Sequence, residues 1–579
     1  MADVNLKING MDVTVPAGST ILEAADSVGI KIPTLCYLKD INAIAACRIC
    51  VVEVKKARTL VAACVYPVNE GMEVFTNTPR VIESRKMTLE LIMSTHDRRC
   101  LSCPRSTNCE LQALCKEYGI EDEAKFDGDK PKYEVETSNP YLVRNNNKCI
   151  LCRRCSAVCS ALQGVGVIGA NERGFTTNIG CAFDMELKDS PCIACGQCVV
   201  NCPTGALVER DDTAAVMEAL ADPEKHVVIA PAPSVRAGLG EEFGMPIGTN
   251  VEGKMVAAMR RLGFDAVVDV DVAADVTIME EGTEFINRLK ENGPFPLITS
   301  CSPGWVKYCE HYFPEFIPNL SSAKSPQGMY GALMKSYYAE KNGVDPANMV
   351  VVSVMPCTAK KFERTREQNK VDGMDDIDIS ITTRELAKLI KMAGLNFTEL
   401  PDEEFDPVFG GATGAGHIFG ATGGVMEAAL RTVAEILEGK ELPDVEFKEV
   451  RGTEGIKEAT YKVAGTDVRI AVVSGTANAR KLLRDIRDGK AFYHFVEIMA
   501  CPGGCVNGGG QPIHDAYTRS HVDIKTLRAK ALYDEDEACA VRKSHENPVV
   551  RKLYEEYLEK PGSHKAHKLL HTTYVARGK

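Results

Sequence analysis

Eight of the chain's 23 cysteines form two copies of one short pattern, C-x2-C-x2-C-x3-C. The first copy comprises Cys149, Cys152, Cys155 and Cys159, and the second comprises Cys192, Cys195, Cys198 and Cys202. Three thiolates at this spacing can surround one face of an iron–sulfur cubane, while the fourth reaches the neighbouring cluster. The pattern therefore predicts two [4Fe–4S] clusters, one bound by Cys149, Cys152, Cys155 and Cys202 and the other by Cys159, Cys192, Cys195 and Cys198. Two zinc sites are the alternative, although zinc usually takes paired ligands separated by a long gap.

A second group lies near the N-terminus and comprises Cys36, Cys47, Cys50 and Cys64. Four cysteines with one close pair in a small β-rich region suit a [2Fe–2S] cluster of the plant-ferredoxin class. The first gap is longer than the plant-type C-x4-C-x2-C spacing, and zinc stays the alternative on spacing alone.

The third group combines one imidazole with three thiols: His96, Cys100, Cys103 and Cys109. Taken by itself this set suits zinc as well as iron. Its place between two predicted iron–sulfur domains favours a [4Fe–4S] cluster with one histidine ligand. Replacing a thiolate by an imidazole removes a negative charge and should raise the cluster potential.

The fourth group is dispersed through three segments: Cys301 in TSCSPGW, Cys357 in VMPCTAKK, and Cys501 with Cys505 in MACPGGCVNGGGQP. Each segment follows a predicted strand or turn, where α/β folds place their sites. The glycines allow the backbone to approach a bulky ligand closely. These four thiols could hold one more cubane; the alternative is scattered core cysteines.

The elements around these groups predict a multidomain α+β and α/β protein. Strands at 3–9 and 11–15 around Asn9-Gly10, with a helix over Ser19–Val28, suit a β-grasp ferredoxin-like domain. After residue 226, strand-length apolar runs such as MVVVSVMPC alternate with helical patterns, which indicates parallel sheets covered by helices. Helices are predicted at 80–95 and 211–225, and a polar linker at 121–140. The predicted domains are 1–79, 80–125, 140–210, 211–520 and a helical C-terminal segment, 521–579.

Composition excludes several classes of protein. The 579 residues carry a net charge of −12, which argues against nucleic-acid binding. No window of 18 or more apolar residues appears, so we expect no membrane span. The N-terminus lacks the basic and apolar regions of a signal peptide, and clustered thiols suit a reducing compartment. The sequence predicts a cytoplasmic protein.

The three C-terminal segments resemble, in order, the signature segments of the [FeFe]-hydrogenases. The resemblance covers nearly the whole chain, and the N-terminal cysteine groups resemble those of long, multi-cluster members and, in part, the large iron–sulfur subunit of respiratory complex I. It implies the reaction H2 = 2 H+ + 2 e− at an H-cluster. That cofactor is a cubane bridged through one cysteine to a diiron unit with CO, CN− and azadithiolate. One [2Fe–2S] and three accessory [4Fe–4S] clusters would relay the electrons.

The resemblance also implies residue roles. Cys505 would bridge the two halves of the cofactor, Cys357 and Cys501 would bind the cubane, and Lys360 would hold a cyanide. The remaining pocket residues would be Ala232, Pro233, Ser234, Pro326, Gln327, Met355, Phe419, Gly420 and Met499. A proton relay would run through Glu281, Glu284 and Ser321, although a solvated helix face is the ordinary interpretation of EEGTE.

One departure concerns the first signature segment, where the family usually has two adjacent cysteines and this chain has Cys301 followed by Ser302. Gap-free comparison places Ser302 at the position of the cubane ligand and Cys301 at that of the proton relay. Because a cubane strongly prefers four thiolates, the sequence favours Cys301 as the ligand and Ser302 as a slower relay.

The expected partners are H2 and protons, maturation proteins, and either ferredoxin or flavin and iron–sulfur subunits that react with NAD(P) or formate. No nucleotide motif is evident in the chain. Two alternatives stay open: a slow hydrogen sensor with the same cofactor, and a complex-I-type electron carrier without hydrogen chemistry.

Overall fold

The computed structural model describes residues 2–122, 124–442, 445–453 and 455–578. The N-terminal region forms a five-stranded sheet around a small apolar core. In spatial order its strands are Met11–Pro16, Asp3–Ile8, Glu73–Phe75, Val51–Val54 and Val61–Ala62. The helix Ile21–Asp26 begins after Thr20 rather than at Ser19, because Thr20 and Glu23 cap each other reciprocally.

Two helices and a compact cysteine-rich region follow. The helices are Pro79–Thr95 and Glu110–Glu117, with His96 as the C-cap of the first. The cysteine-rich region contains two antiparallel strand pairs, Leu142–Arg144 with Leu207–Glu209 and Gly169–Asn171 with Asn178–Gly180. Short helices at Arg154–Ala157 and Gln197–Val200 each follow a cysteine pair, and the helix Thr213–Ala221 leads onward.

The larger part of the chain is built on two four-stranded sheets. The first is fully parallel, in the order Ala266–Val267, His226–Pro231, Met349–Met355 and Ile379–Thr382. The second has the order Leu297–Ile298, Phe495–Met499, Thr466–Ser474 and Ile456–Val463. Its last pair is an antiparallel hairpin, so the expectation of parallel sheets holds for the first sheet and only part of the second.

The strand Thr466–Ser474 of the second sheet is packed on both of its faces. Ile470 and Val472 pack into one apolar cluster, while the alternating residues Ala471 and Val473 pack into another on the opposite face. The long helix Val270–Glu291 lies between the sheets and contributes side chains to the cores of both. The other covering helices are Glu252–Leu262, Pro303–Tyr312, Pro326–Leu333, Thr383–Met392, Gly424–Glu438 and Thr476–Arg487.

The C-terminal segment is helical and folds back over the sheets. Its helices are Ala516–His521, Ile524–Ala538, Pro548–Leu553 and His564–Leu570. The residues after the last helix run extended, and His571 pairs with Ala323 in an isolated β-bridge. None of the helices in the described ranges is both long and apolar enough to cross a membrane.

Candidate active site

A cavity lies where the two sheets meet. Its walls include the four dispersed cysteines and all the pocket residues expected from the sequence: Cys301, Cys357, Cys501, Cys505, Ser302, Lys360, Ala232, Pro233, Ser234, Pro326, Gln327, Met355, Phe419, Gly420 and Met499. The structure therefore brings together residues that lie almost 300 positions apart in the sequence.

The carboxyl ends of strands from both sheets position these side chains. Ala232 to Ser234 follow the strand His226–Pro231, and Cys357 follows Met349–Met355. In the second sheet Cys501 follows Phe495–Met499, and Cys301 follows Leu297–Ile298. Loops at these strand ends form the crevice in which α/β folds hold their ligands.

Three of the thiols are buried near one another in this cavity. A hydrogen bond from Cys501 lowers the pKa of the Cys357 thiol, and the Cys501 pKa is raised in return. Burial raises the pKa of Cys505 to about 12, and the charge of Cys357 adds to this effect. Three buried thiols beside a single cation, Lys360, are costly to ionise together, so a metal centre that ligates all three as thiolates suits the donor set.

The Gly503-Gly504 pair shapes the backbone that carries Cys505. Gly504 has φ of +95°, and a Cβ there would lie 2.6 Å from the backbone nitrogen of Thr422. Only glycine fits this approach between the Cys505 turn and the segment after Gly420. The turn holds Cys505 against the wall that contains Phe419 and Gly420.

Lys360 is a buried cation in the cavity wall, held by Ser325 Oγ at 2.7 Å and Glu363 Oε2 at 2.8 Å. The amide of Gln327 also donates to Glu363, at 2.9 Å. Because Glu363 neutralises the ammonium group on one side, Lys360 can lie beside an apolar cavity at a tolerable cost and still offer a donor to an anionic ligand.

Cys301 and Ser302 have different surroundings although they are adjacent. Cys301 packs against the apolar cluster that contains Phe419 and Met499. Its thiol pKa is raised by burial and, among charged groups, most strongly by Glu281 and then by Cys505. Ser302 Oγ instead accepts a hydrogen bond from the backbone N–H of Ala500, at 3.2 Å, beside Cys501.

The three predicted relay residues form a group beneath Cys301. Glu281 is 1% exposed, and the side chain of Ser321 and the backbone of Ser300 are its hydrogen-bonding neighbours. Burial raises its pKa to about 8, helped by the charges of Glu284 and Glu497. Ser321 Oγ donates to Glu284 Oε2 at 3.2 Å, and Arg288 contacts the other oxygen at 2.6 Å. The EEGTE segment is thus a buried helix face rather than a solvated one.

Two smaller cavities lie in the cysteine-rich region. One is lined by Cys149, Cys152, Cys155 and Cys202. The other is lined by Cys159, Cys192, Cys195 and Cys198. The eight thiols are therefore divided between the cavities in the crossed arrangement that the repeated spacing predicts. A cavity walled by four thiols fits a cubane.

The N-terminal group is also gathered in space. Cys50 Sγ lies 3.4 Å from Cys64 Sγ, and a hydrogen bond joins Cys36 to Cys47. The thiol pKa of Cys64 is raised by Cys50 and further by the charges of Cys36 and Cys47, so all four thiols act on one another. The set fits a small cluster with four thiolates.

His96 is almost fully buried, and its Nδ1 has no hydrogen-bond partner within the described structure. Burial lowers its pKa to about 4, so the ring is neutral at physiological pH. A neutral imidazole with an unpaired buried nitrogen fits a metal ligand. Cys100, Cys103 and Cys109 follow it, and Cys103 and Cys109 act electrostatically on each other.

Two features near the cavity were missed in the sequence. Cys195 lines both the second small cavity and the large one, so the two sites share a wall. Arg236, fully buried, forms ion pairs with Asp269, Asp271 and Glu535 at 2.8–3.1 Å, just after the wall residues 232–234. Cysteine spacing does not show which cavities lie side by side, so the shared wall could be recognised only from the fold. No sequence motif indicates the role of Arg236.

Comparison with protein-family models assigns the parts of the chain. Residues 225–509 match the C-terminal domain of the iron-only hydrogenase large subunit, and 522–577 match the iron hydrogenase small subunit. The N-terminal regions match a 2Fe-2S cluster binding domain at 1–79, the NADH-ubiquinone oxidoreductase-G iron–sulfur binding region at 85–124, and a 4Fe-4S dicluster domain at 148–206.

Curated relatives extend over the full chain. The NADP-reducing hydrogenase subunit HndD of Solidesulfovibrio fructosivorans is 49% identical, covering 100% of both chains. Iron hydrogenase 1 of Clostridium pasteurianum is 45% identical over 98% of this chain and 99% of its own. Protein NAR1 of Arabidopsis thaliana is 31% identical over 67% of this chain and 85% of its own.

Solved structures support the same assignment. An [FeFe]-hydrogenase structure on stepwise H-cluster assembly is 42% identical, with a TM-score of 0.56, and covers 63% of this chain and 99% of its own. A structure of HydA1 from Chlamydomonas reinhardtii is 42% identical, with a TM-score of 0.57, over 64% of this chain and 100% of its own. With its cavity of buried thiols and its N-terminal iron–sulfur domains, the chain belongs to the iron hydrogenases, which interconvert hydrogen with protons and electrons.

Proposed function

We propose that this chain is the catalytic arm of an NADP-linked hydrogenase, with an H-cluster in the large cavity and four accessory clusters that carry electrons to partner subunits. The observation that carries this proposal is the wall shared through Cys195. It places one four-thiol cavity directly beside the catalytic one, and the other cysteine groups continue towards the N-terminus. We also propose the domain limits 1–79, 80–125, 140–210, 211–520 and 521–579, and a cytoplasmic location.

The residues of the large cavity have distinct tasks in this proposal. Cys357, Cys501 and Cys505 hold the cofactor, and the apolar side chains of Met355, Phe419 and Met499 exclude water from it. When bound, the cofactor supplies the metal centre at which hydrogen is split or formed. The ammonium group of Lys360 donates a hydrogen bond towards the cavity.

For the first signature segment we propose the opposite assignment from the one the sequence favours. Ser302 lies beside the Cys501 segment, and its hydroxyl oxygen would be a ligand of the iron–sulfur part of the cofactor. Cys301 faces Glu281, which dominates its electrostatic surroundings, and passes protons between the cavity and that acid. Glu281, with a pKa of about 8, can both take and give a proton near neutral pH.

NADP is the acceptor that the relatives favour. The NADP-reducing relative is similar over its whole length, and the region at 85–124 matches an iron–sulfur region of an NADH-oxidising complex. Because no dinucleotide motif occurs in the chain, a flavin-bearing or iron–sulfur partner would reduce NADP, and maturation proteins would deliver the diiron unit. Ferredoxin and formate-linked partners are the other acceptors.

The proposal is tested by purifying the chain with and without co-expressed maturation proteins. Matured chain should contain about 20 iron atoms, show infrared bands of CO and CN−, and reduce a viologen dye with H2. Chain made without maturation should lack the bands and about two of the iron atoms. Matured chain alone should not reduce NADP. Zinc in place of iron, or absent bands, would contradict the cofactor assignment; very slow turnover would favour a sensor.

His96 provides a test of the accessory relay. Exchanging His96 for cysteine should preserve a cluster but lower its reduction potential, because a thiolate adds a negative charge. Electron exchange with an external acceptor should slow more than hydrogen–deuterium exchange at the active site. Redox titration followed by electron paramagnetic resonance measures the shift. Cys115 is not a proposed ligand, so its exchange for serine is the control. If the redox titration of the His96 variant equals that of the native chain, His96 is not a cluster ligand.

A further inference from the structure

The last residues of the chain lie against the proton-relay helix Val270–Glu291. Thr572 N donates to Ser322 O at 2.8 Å, and Lys324 N donates to Leu570 O at 2.7 Å. These backbone bonds, with the bridge between Ala323 and His571, fix the C-terminal strand beside residues 321–324. The side chain of His571 is thereby held at the outer end of the group that contains Ser321 and Glu284.

A continuous hydrogen-bonded chain joins Glu284 to His571. Ser322 Oγ lies 3.2 Å from Glu284 Oε2 and 2.8 Å from His571 Nδ1. The other ring nitrogen of His571, Nε2, lies 3.0 Å from Glu280 Oε2. Glu280 is fully buried and is itself held by the hydroxyl of Tyr554 at 2.5 Å and the backbone N–H of Gly562 at 2.9 Å.

This arrangement suits an imidazole that alternates between neutral and charged forms. Glu280, oriented by two donors, stabilises the imidazolium, as a carboxylate does beside a catalytic histidine. The His571 ring reaches the surface with 7% of its side chain exposed, and it stacks on exposed His567 at 4.4 Å between ring centroids. Packing alone does not require a histidine that is hydrogen-bonded to a serine on one nitrogen, hydrogen-bonded to a buried carboxylate on the other, and partly exposed to solvent.

Resting on the proposed hydrogenase function, we propose that His571 exchanges protons between the relay residue Glu284 and solvent. In the direction of hydrogen uptake, the O–H of protonated Glu284 passes its proton to Ser322 Oγ. The hydroxyl of Ser322 gives its own proton to His571 Nδ1. The imidazolium then loses its Nε2 proton to water, once the ring turns that nitrogen from Glu280 towards its exposed edge. One proton enters and one leaves, and no electron moves. Hydrogen evolution uses the same bonds in reverse.

Several charged groups surround the His571 ring. Glu280 and Glu284 face it from the relay helix, and Arg288 pairs with Glu284 on the far side. From its own helix, His567 and then His564 add positive charge when protonated, and burial and the charge of His571 lower the pKa of His567.

The test compares His571→Ala and His571→Gln with the native chain, all matured and all checked for CO and CN− bands. In dilute buffer both variants should catalyse hydrogen turnover roughly tenfold more slowly than the native chain. Their turnover should also depend on pH differently from that of the native chain. Added imidazole should restore the rate of the alanine variant in proportion to its concentration, because it fills the vacated site and carries protons there. Thr573→Ala, an exposed position two residues further along the chain, should behave as native.

Two results would overturn the inference. The first is turnover equal to that of the native chain in both variants in dilute buffer. The second is full activity of the glutamine variant together with an inactive alanine variant that imidazole does not rescue. That second pattern would show that His571 serves only for packing. If the alanine variant fails to assemble the cofactor, the glutamine variant and its pH profile decide. Bands and turnover in the native chain test the proposed function separately, so either can fail without the other.

Discussion

Ser302→Ala should leave the catalytic cavity without a complete cofactor. In the proposed assignment this exchange removes the oxygen ligand at the cubane end, where Ser302 lies beside Cys501. Three thiolates do not complete the coordination of a cubane, so the diiron unit loses the partner that it bridges to. We expect loss of about six iron atoms per chain, loss of the CO and CN− bands, and no hydrogen turnover. Iron analysis and infrared spectroscopy measure both changes, and the iron bound by the N-terminal iron–sulfur domains provides the internal control.

Cys301→Ala is the matched variant at the neighbouring position. It should retain the iron and the infrared bands and lose turnover by about 100-fold or more, because only proton transfer is interrupted. Ser302→Cys should assemble the cofactor at least as well as the native chain, since a thiolate is the better ligand. If instead Cys301→Ala lacks the cofactor and Ser302→Ala contains it, Cys301 is the ligand, as the sequence alone favours.

Glu281→Gln should abolish most turnover while the cofactor stays intact. Glutamine has nearly the same volume and remains neutral, so the buried site is preserved, but the amide cannot carry a proton between Cys301 and Glu284. A loss of about 100-fold or more is expected from removing a proton-transfer group. Glu281→Asp, which retains the carboxyl, should lose less. Equal activity of native and Gln chains would exclude Glu281 from the relay.

The same variant should change how stability depends on pH. The pKa of Glu281 is raised from 4.5 to about 8 by burial, so the folded chain holds a proton that the unfolded chain has lost between these values. This group therefore stabilises the fold less and less as pH rises from about 4.5 to 8, by at most about 1.4 kcal/mol per pH unit. The melting temperature of Glu281→Gln should fall less than that of the native chain over this range. Identical pH dependence would show that Glu281 stays ionised.

Short cysteine spacings predicted much of the architecture because metal ligation constrains sequence locally. The crossed division of eight thiols between two cavities follows from one repeated pattern, and strand-length apolar runs located the strands that carry Cys301 and Cys357. The antiparallel strand Ile456–Val463 was not predicted, because its sequence, IKEATYKV, is interrupted by polar residues and does not form an apolar run.

Long-range contacts could not be predicted from the sequence, for a different reason. EEGTE has the composition of a solvated helix face, and only the packing of the helix between two sheets buries Glu281. The opposed surroundings of Cys301 and Ser302 depend on the backbone direction at the start of the helix Pro303–Tyr312. The contact of His571 with Ser322 joins positions 249 residues apart, which no local pattern encodes.

The C-terminal segment matches a family model named for a small subunit, yet here it is part of the catalytic chain. Leu532 of this segment packs so closely on Gly420 that a Cβ there would lie 2.5 Å from it, so the segment supports the cavity wall. A separate subunit would dissociate from this wall on dilution, whereas a covalently joined one has an effective concentration set by the connecting chain. The specific activity of this hydrogenase should therefore be independent of protein concentration, and no stoichiometric balance between two gene products is needed to assemble its active site.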